Sequence, residues 1–378
     1  SLSPDDYKLP VVLPPREPGA CPMVRLGDIC SISIGGTPTS TNPTYYTTNG
    51  GYLWVSIADM KQDPIISTSK HITDIGINAS PVKLVKSGTL LYSFKLTIGR
   101  VAIAGSDLYT NEAIAALIPK TDDLNKTYLK YILRVPDICD IPTVHGMLGA
   151  GSLNMKSVPD IRFPLPSLEI QQEIVETLDC LDGTICKTDE TIEDFKQVMH
   201  TICHSVRRRG EKMKIGDLFK LKKGTVQSLK AENGTIPFYT GAAEQKTHSV
   251  ATEHTESLLF VGGAEGSLGR VHHAKENDYA VSDLCYVMRL ENDIVKYRYA
   301  YWYLNMNRER IVNEHATGIK KTISAERLSA ITMIVPSIEI QETVVVSLDE
   351  IQEGIRELEK TKKTLQDSMR SCLEGFLV

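Results

Sequence analysis

No stretch of this sequence reaches the roughly 18 consecutive apolar residues that a membrane-spanning helix needs. No basic-then-apolar leader opens it. Aromatic residues are sparse, at 6% of 378 positions. Cysteine occurs eight times (Cys21, Cys30, Cys139, Cys180, Cys186, Cys203, Cys285, Cys372) but never as a C-x-x-C pair. That scatter predicts free, mostly buried thiols in a reducing, cytoplasmic setting. It also lacks the closely paired ligands of a tetrahedral zinc site. Signatures of catalysis are missing as well: there is no G-x-S-x-G and no H-E-x-x-H, nor an Asp…Glu-x-Lys cluster of the kind nucleases use. The chain is expected to catalyse nothing by itself. It opens on Ser1, which fits a processed end or a piece cut from a longer polypeptide.

What is present is a globular composition, 42% apolar and 24% charged, which excludes a mostly disordered chain. At ~150 residues per domain the length predicts two to three domains. The net charge of −5 is unevenly spread. Residues 167–211 carry ten acids against five bases, and 337–378 carry nine against five. Residues 1–22 are −1, while 23–166 and 212–336 are +2 and +3. The acid sits in two segments, and the two mildly basic blocks permit phosphate contact through local patches.

The chain repeats itself. Ile161-Arg-Phe-Pro-Leu-Pro-Ser-Leu-Glu-Ile-Gln171 aligns with Ile331-Thr-Met-Ile-Val-Pro-Ser-Ile-Glu-Ile-Gln341 at an offset of 170. Leu178-Asp179 and Leu348-Asp349, Gly99-Arg100-Val101 and Gly269-Arg270-Val271, and His145 and His315 keep that offset. Arg25-Leu-Gly-Asp-Ile29 resembles Lys214-Ile-Gly-Asp-Leu218, and Tyr128–Leu133 resembles Tyr299–Leu304. A period this long means two similar domains, each followed by an acidic segment.

The acidic segments read as long helices. Leu178, Leu181, Ile185, Thr188, Ile192, Phe195, Met199, Ile202 and Val206 step by three and four residues without a break. Leu348, Ile351, Ile355, Leu358, Lys362, Leu365, Met369, Cys372 and Phe376 do the same. That is an a/d seam over about four heptads. Ser167 and Ser337 are suited to cap, and Glu169 and Glu339 put carboxylates in the first turns. Each helix would run about 60 Å at ~1.5 Å per residue. A narrow seam is unstable alone, so the two helices are expected to pack on each other, with Thr188 and Lys362 as polar breaks that fix register. The alternative is that each packs on its own domain.

The blocks between them pattern as β-rich. Tyr52–Ile57, Thr89–Phe94, Arg100–Ala104, Leu258–Val261 and Gly269–His273 read as short strands between Gly, Thr and Ser turns, with one short helix near 125–135 and another near 298–310. An α+β domain with a twisted or barrel-like sheet follows. The second block is 19 residues shorter between its Gly-Asp and Gly-Arg-Val landmarks, as expected of one scaffold with two sets of loops. The Pro-rich residues 1–22 read as an extended linker. Asn42-Pro43-Thr44-Tyr45 reads as a turn. Gly262–Gly269 is neither a dinucleotide fingerprint nor a P-loop and predicts a tight β connection open to close approach. His272 and His273, adjacent on a strand, point to opposite faces and make no joint metal site.

The ordered features resemble the specificity (S) subunit of type I restriction-modification systems. They are the Arg25-Leu-Gly-Asp-Ile opening, Gly36-Thr-Pro38, Tyr52-Leu-Trp-Val, Thr110-Asn-Glu112 and the Pro-Ser-x-Glu-Ile-Gln helix starts, duplicated across about 23–378. Glu and Gln are separated by one residue here, where the family usually has them adjacent. The resemblance implies two target recognition domains (23–166 and 212–336) separated by two long helices (167–211 and 337–378) that form an antiparallel coiled coil. It implies that each domain reads half of a split sequence in double-stranded DNA. It further implies that the helices dock two methyltransferase (M) subunits. Those subunits carry S-adenosylmethionine and methylate adenine, and motor-nuclease (R) subunits can join them. No cofactor or metal is expected in this chain.

Reading base edges requires Arg, Lys, Asn, Gln, Ser and Thr on loops, with Lys and Arg on phosphates. Candidates in the first domain are Thr37, Ser40, Tyr45, Lys61, Gln62, Lys95, Thr97, Arg100 and Lys156. In the second they are Lys222, Lys223, Gln227, Lys246, Arg270, Lys320 and Lys321. The pairs Lys222-Lys223 and Lys320-Lys321 stand out, because adjacent cations in Gly/Thr loops suit phosphates. Arg100 and Arg270 repeat in both halves and suit a structural role equally. Arg207-Arg208-Arg209 suits the helix dipole as well as it suits DNA. Two further readings stay open: the DNA-recognition part of a fused restriction-methylation enzyme, and a coiled-coil scaffold joining two protein-binding domains.

Overall fold

A computed structural model describes residues 21–40, 42–95, 97–142, 153, 155–227, 234–242, 245–264 and 266–377. Residues 1–20, including most of the Pro-rich lead, and His145 lie outside the described residues. The chain divides into two compact units. One comprises residues up to Cys186 together with those from Lys362 onward, and the other is Lys187–Thr361.

In the first unit the order is β1 (Met23–Arg25), α1 (Leu26–Ile29), β2 (Cys30–Ile34), β3 (Tyr46–Thr47), β4 (Tyr52–Val55), β5 (Lys70–Ile72), α2 (Asp74–Asn78), β6 (Leu90–Ser93), β7 (Val101–Ile103), β8 (Tyr109–Thr110), β9 (Ile114–Pro119), α3 (Lys126–Leu133), β10 (Arg162–Pro164) and the start of α4 (Leu168–Ser205). One sheet runs β2-β9-β6-β7, all antiparallel, and a second runs β3-β5-β4-β8, closing on a parallel β4/β8 pair. Short strands bounded by Gly and Pro suit such small sheets. The alternation of β6 is decisive for layering. Leu90 and Tyr92 face the cluster that includes Tyr128, Leu129 and Ile132 of α3, while Leu91 faces Ile65, Ala102 and Ala116. All are buried, each large side chain contributing roughly 1.5–3 kcal/mol.

The second unit repeats this plan. After the end of α4 come β11 (Gly210–Lys214), α5 (Ile215–Leu218), β12 (Phe219–Lys223), β13 (Ile236–Tyr239), β14 (Lys246–His248), β15 (Ser257–Val261), β16 (Val271–Ala274), β17 (Ala280–Val281), β18 (Cys285–Leu290), α6 (Tyr297–Met306), α7 (Arg308–His315), α8 (Ala325–Ala330), β19 (Thr332–Pro336) and the start of α9 (Ile338–Leu377). Its four-stranded sheet, β12-β18-β15-β16, is β2-β9-β6-β7 again, and its β14-β13-β17 sheet again closes on a parallel pair. Leu258 and Phe260 face the helix side, Leu259 and Val261 the other. Identical strand order on a non-sequential path establishes the duplication in three dimensions. Among the described residues, the second unit has one fewer strand in its smaller sheet.

The helix seam is the buried stripe. In the first unit Leu178 and Leu181 of α4 share a core with Leu365, Met369, Cys372 and Leu373 of α9. In the second, Phe195, Met199 and Ile202 of α4 share one with Leu348, Ile351, Ile355 and Leu358 of α9. The opening turns of each helix meet the closing turns of the other, an antiparallel pairing with the 3-4 spacing of a coiled coil. The same turns also pack on the globular part, since Ile174 and Leu178 join Tyr128 and Phe163, and Leu348 joins Tyr299 and Met333. Both expectations for the helices therefore hold along one seam. The cysteines depart from expectation in burial. All eight are free, but only Cys30, Cys285 and Cys372 are buried, and Cys180 and Cys186 are exposed on the polar face of α4. Burial pushes the Cys30 thiol up to about 11 and the Cys285 thiol up to about 12.

Candidate nucleic-acid interface

Each globular block is bolted to its helix by the repeated Pro-Ser-x-Glu-Ile-Gln motif. Gln171 is fully buried, donates from Nε2 to the carbonyls of Asp123 and Pro166 (both 2.9 Å), and accepts from the Asn125 amide (2.8 Å). Gln341, equally buried, donates to Ile294 and Pro336 (both 2.8 Å) and accepts from the Lys296 amide (2.9 Å). A primary amide has donors and an acceptor at once, so one side chain satisfies groups on both sides of it. Beside each amide a tyrosine closes the strand before the helix: Tyr128 donates to Pro164 (2.6 Å) and Tyr299 to Ile334 (2.8 Å). Tyr131 donates to Asp179 (2.5 Å), and Trp302 and Arg298 donate to Asp349 (2.7 and 2.6 Å). Burial pushes the Asp349 carboxyl up, but the Arg298 and Trp302 hydrogen bonds outweigh it and hold it below the ordinary carboxylate range.

With the scaffold fixed, the strands of the first block deliver their ends to one place. Gly36 donates to Thr110 (2.9 Å), Asn111 to Val55 (3.0 Å) and Phe94 to Ala113 (3.0 Å). Gly35 must be glycine there, since a Cβ would lie 2.2 Å from the Thr110 carbonyl oxygen. Thr37 donates to the Glu112 carboxylate. Arg100 donates to the Ile57 carbonyl (2.7 Å), just before the turn that carries Lys61 and Gln62, and Gln62 pairs with Ser67 (3.1 Å). Thr97 is exposed on the β6–β7 turn, where the Lys95 ammonium lies 5.7 Å from the Phe94 ring. Thr37, Lys95, Thr97 and Arg100 thus lie at one end of the block, with exposed Ser40 on the loop from Gly36, whereas Lys61 and Gln62 run on to Asp63, which accepts from the Ile103 amide (2.9 Å) at the far end of β7. Tyr45 closes a single helical turn in which the Asn42 side chain accepts from the Thr44 amide (3.1 Å), so Asn42–Tyr45 is a turn as expected. Lys156 lies apart. It precedes the Val158–Asp160 turn, which meets α1 at the opposite end of β2.

The second block gathers the corresponding ends. Gly224 donates to Cys285 (2.9 Å), Gly262 to Leu284 (2.8 Å) and Ile323 to Gly262 (2.8 Å). Lys222 and Lys223 end β12, exposed, with Gln227 just beyond. Lys222 is committed at 2.7 Å to the buried carboxylate of Glu253, which also takes Arg289. Arg270 occupies the position of Arg100, but among the described residues its side chain has no hydrogen bond. Lys320 and Lys321 sit on a hairpin closed by reciprocal Thr317–Thr322 bonds (3.0 Å each), next to the β15–β16 turn, where Gly266 and Gly269 adopt positive φ. Arg308 ties that turn down by donating to Leu268 (2.8 Å) and Gly266 (2.7 Å). A groove of about 870 Å³ opens between turn and hairpin. Lys246 lies on the outer strand β14, exposed. His272 and His273 face opposite sides, the first toward Tyr239, the second bonded to Glu256 (2.7 Å). Among the described residues no group of three or more His, Cys, Asp or Glu is placed to hold a metal ion.

Sequence reasoning gave Gln171 and Gln341 no positioning role, read Glu112 only as part of Thr110-Asn-Glu112, and passed over Glu253 and Arg308. The exact repetition of the glutamine was a usable signal. The partners of Glu253 and Arg308 lie more than 30 residues away and leave no local trace.

Two scaffolds of one topology, unlike loops at matching strand ends and an antiparallel helix pair define a tandem-duplicated two-domain protein. The model of the type I restriction modification DNA specificity domain matches twice, over residues 20–194 and 209–366. The chain belongs to that family. It is 24% identical over 243 residues to the type I restriction enzyme MjaIX specificity subunit of Methanocaldococcus jannaschii, spanning 57% of this chain and 56% of that one. It is 28% identical over 163 residues to the EcoR124I/EcoR124II specificity subunit of Escherichia coli, spanning 42% and 40%. The matches thus span about half the length of these relatives. The S subunit of a type I restriction-modification system from M. genitalium shares the fold, with a TM-score of 0.54 at 14% identity over 94% of this chain and 95% of that one.

Proposed function

We propose that this chain is the sequence-reading component of a type I restriction-modification assembly and is not itself catalytic. Residues 23–166 and 212–336 act as target recognition domains, 167–211 and 337–378 as helical spacers, and 1–22 as a linker. Each domain reads one half of a split, asymmetric target in the major groove of double-stranded DNA. The spacers dock two methyltransferase subunits that bring S-adenosylmethionine and methylate adenine, and motor-nuclease subunits join the same cytoplasmic assembly. The observation that carries this reading is one sheet topology built twice with different loops at the same strand ends. A protein binding one symmetrical ligand would keep its two loop sets alike. Two mildly basic blocks beside two acidic helices fit the same division, with cations where phosphates approach. The test is single-molecule sequencing of methylated adenines in cells expressing the neighbouring methyltransferase, with and without this chain. A split motif that vanishes without the chain is expected. An active methyltransferase whose marks are indifferent to it would favour the scaffold reading instead.

A further inference from the structure

Ile319 is the most exposed large apolar side chain among the described residues, at 107% relative exposure, against 70% for Ile66, the next. Single exposed apolar residues are ordinary on protein surfaces, so exposure alone decides nothing. Its setting does. Ile319 stands at the tip of a six-residue hairpin, Thr317–Thr322, whose closing residues bond each other in both directions at 3.0 Å. Gly318 supplies the positive φ of 89° that the turn requires. Ile323, immediately after the hairpin, donates to Gly262 at 2.8 Å and so anchors its base to the β15–β16 turn. The tip is therefore a fixed projection rather than a loose loop. Lys320 and Lys321 follow at once, both exposed, and among the described residues neither makes an ion pair. Among the described residues the groove beside them is lined by the cations Arg308, Lys320 and Lys321 and the carboxylate of Glu309, and by Gly263 and Gly266, which leave backbone open to approach.

An anchored apolar tip followed by two exposed cations, beside a groove whose described charged residues are three cations and one carboxylate, complements a surface that is itself apolar at one point and anionic on either side. Duplex DNA offers that combination in the major groove, where the thymine C5-methyl is the one apolar group on a base edge and phosphates flank it. Protein partners would cover a wider apolar patch than one side chain. We infer that Ile319 reads a thymine methyl in the half-site taken by the second recognition domain, with Lys320 and Lys321 on the adjacent phosphates. This rests on the DNA-reading function proposed above and adds to it a residue and the base it selects.

The experiment uses the full chain assembled with its methyltransferase and a duplex carrying the methylation motif. Each thymine of the second half-site, on either strand, is replaced in turn by deoxyuridine, which removes only the methyl. Binding is measured for the wild type and for Ile319→Ala, whose fold is safe because the side chain touches little. At one position deoxyuridine should weaken wild-type binding about fourfold, the effect of one methyl leaving water, and Ile319→Ala should bind thymine and deoxyuridine there equally. The inference is overturned if no thymine is methyl-sensitive, if Ile319→Ala keeps the same sensitivity, or if the half-site has no thymine, while specific binding persists in each case. Loss of sequence-specific binding by the wild-type assembly would instead remove the DNA-reading function, and this inference with it.

Discussion

Replacing Gln171 or Gln341 by Ala removes a fully buried amide and strands the three backbone groups that it bonds. Each of these amides bridges its helix start to the loop before α3 or α6. A buried network broken on one side costs the desolvation of what remains, about 2–4 kcal/mol here. Urea unfolding should show that loss for either variant, and a change below about 0.5 kcal/mol would mean that the bonds are dispensable. Asp349 carries a pH dependence. Its carboxyl is held below its ordinary range by Arg298 and Trp302. The stability it contributes is therefore present above the unfolded value of about 3.9 and is lost as pH falls through the lower folded value. Asp349 is 39% exposed, so screening limits the contribution to about 1 kcal/mol. The gap in stability between wild type and Asp349→Asn should stay open at pH 7, narrow as pH falls below about 4 and close once the folded carboxyl is protonated, while a gap independent of pH would contradict the assignment. On the proposed DNA reading, Lys320 and Lys321 would act by charge. Changing both to Ala should weaken binding to all sequences alike and reduce the salt slope by about two. An unchanged slope would remove them from the phosphates.

At the scale of elements, the long helices carry a contrast between two glycines. Gly183 in α4 has open space where a Cβ would go, whereas a Cβ at Gly354 in α9 would lie 3.0 Å from the Phe195 ring. Gly183→Ala should stabilise by about 0.5–1 kcal/mol through helix propensity alone. Gly354→Ala gains the same propensity but has to displace the ring, so thermal unfolding should rank it below Gly183→Ala. The reverse order would mean that Phe195 is not packed there. These helices were legible in the sequence because a 3-4 repeat held for nine seam positions is a signal that short-range noise does not produce. The sheets were legible only as β-rich. Their strands have two to six residues, β9 inserts between β2 and β6, and β4 pairs in parallel with β8 across some 50 residues. No local pattern encodes such partners. The candidate residues divide for the same reason. Loop position was readable for Lys95, Thr97, Lys320 and Lys321, but the commitment of Lys222 to Glu253 and of Arg100 to Ile57 depends on distant contacts. Ile319 drew no notice because a lone apolar residue in a polar stretch has no period.

For the whole molecule, duplication explains more than any single site. The two blocks keep strand order, the buried glutamine and the tyrosine closing bond, while loop length and loop charge diverge. Framework shared and loops free is the arrangement in which recognition changes without refolding. It predicts that specificity is modular. Residues 23–166 exchanged for the corresponding block of another family member, in cells with the same methyltransferase, should give a methylated-adenine motif in which one half changes and the other half is retained. A motif altered in both halves, or unaltered in either, would contradict the assignment of one half-site to each block.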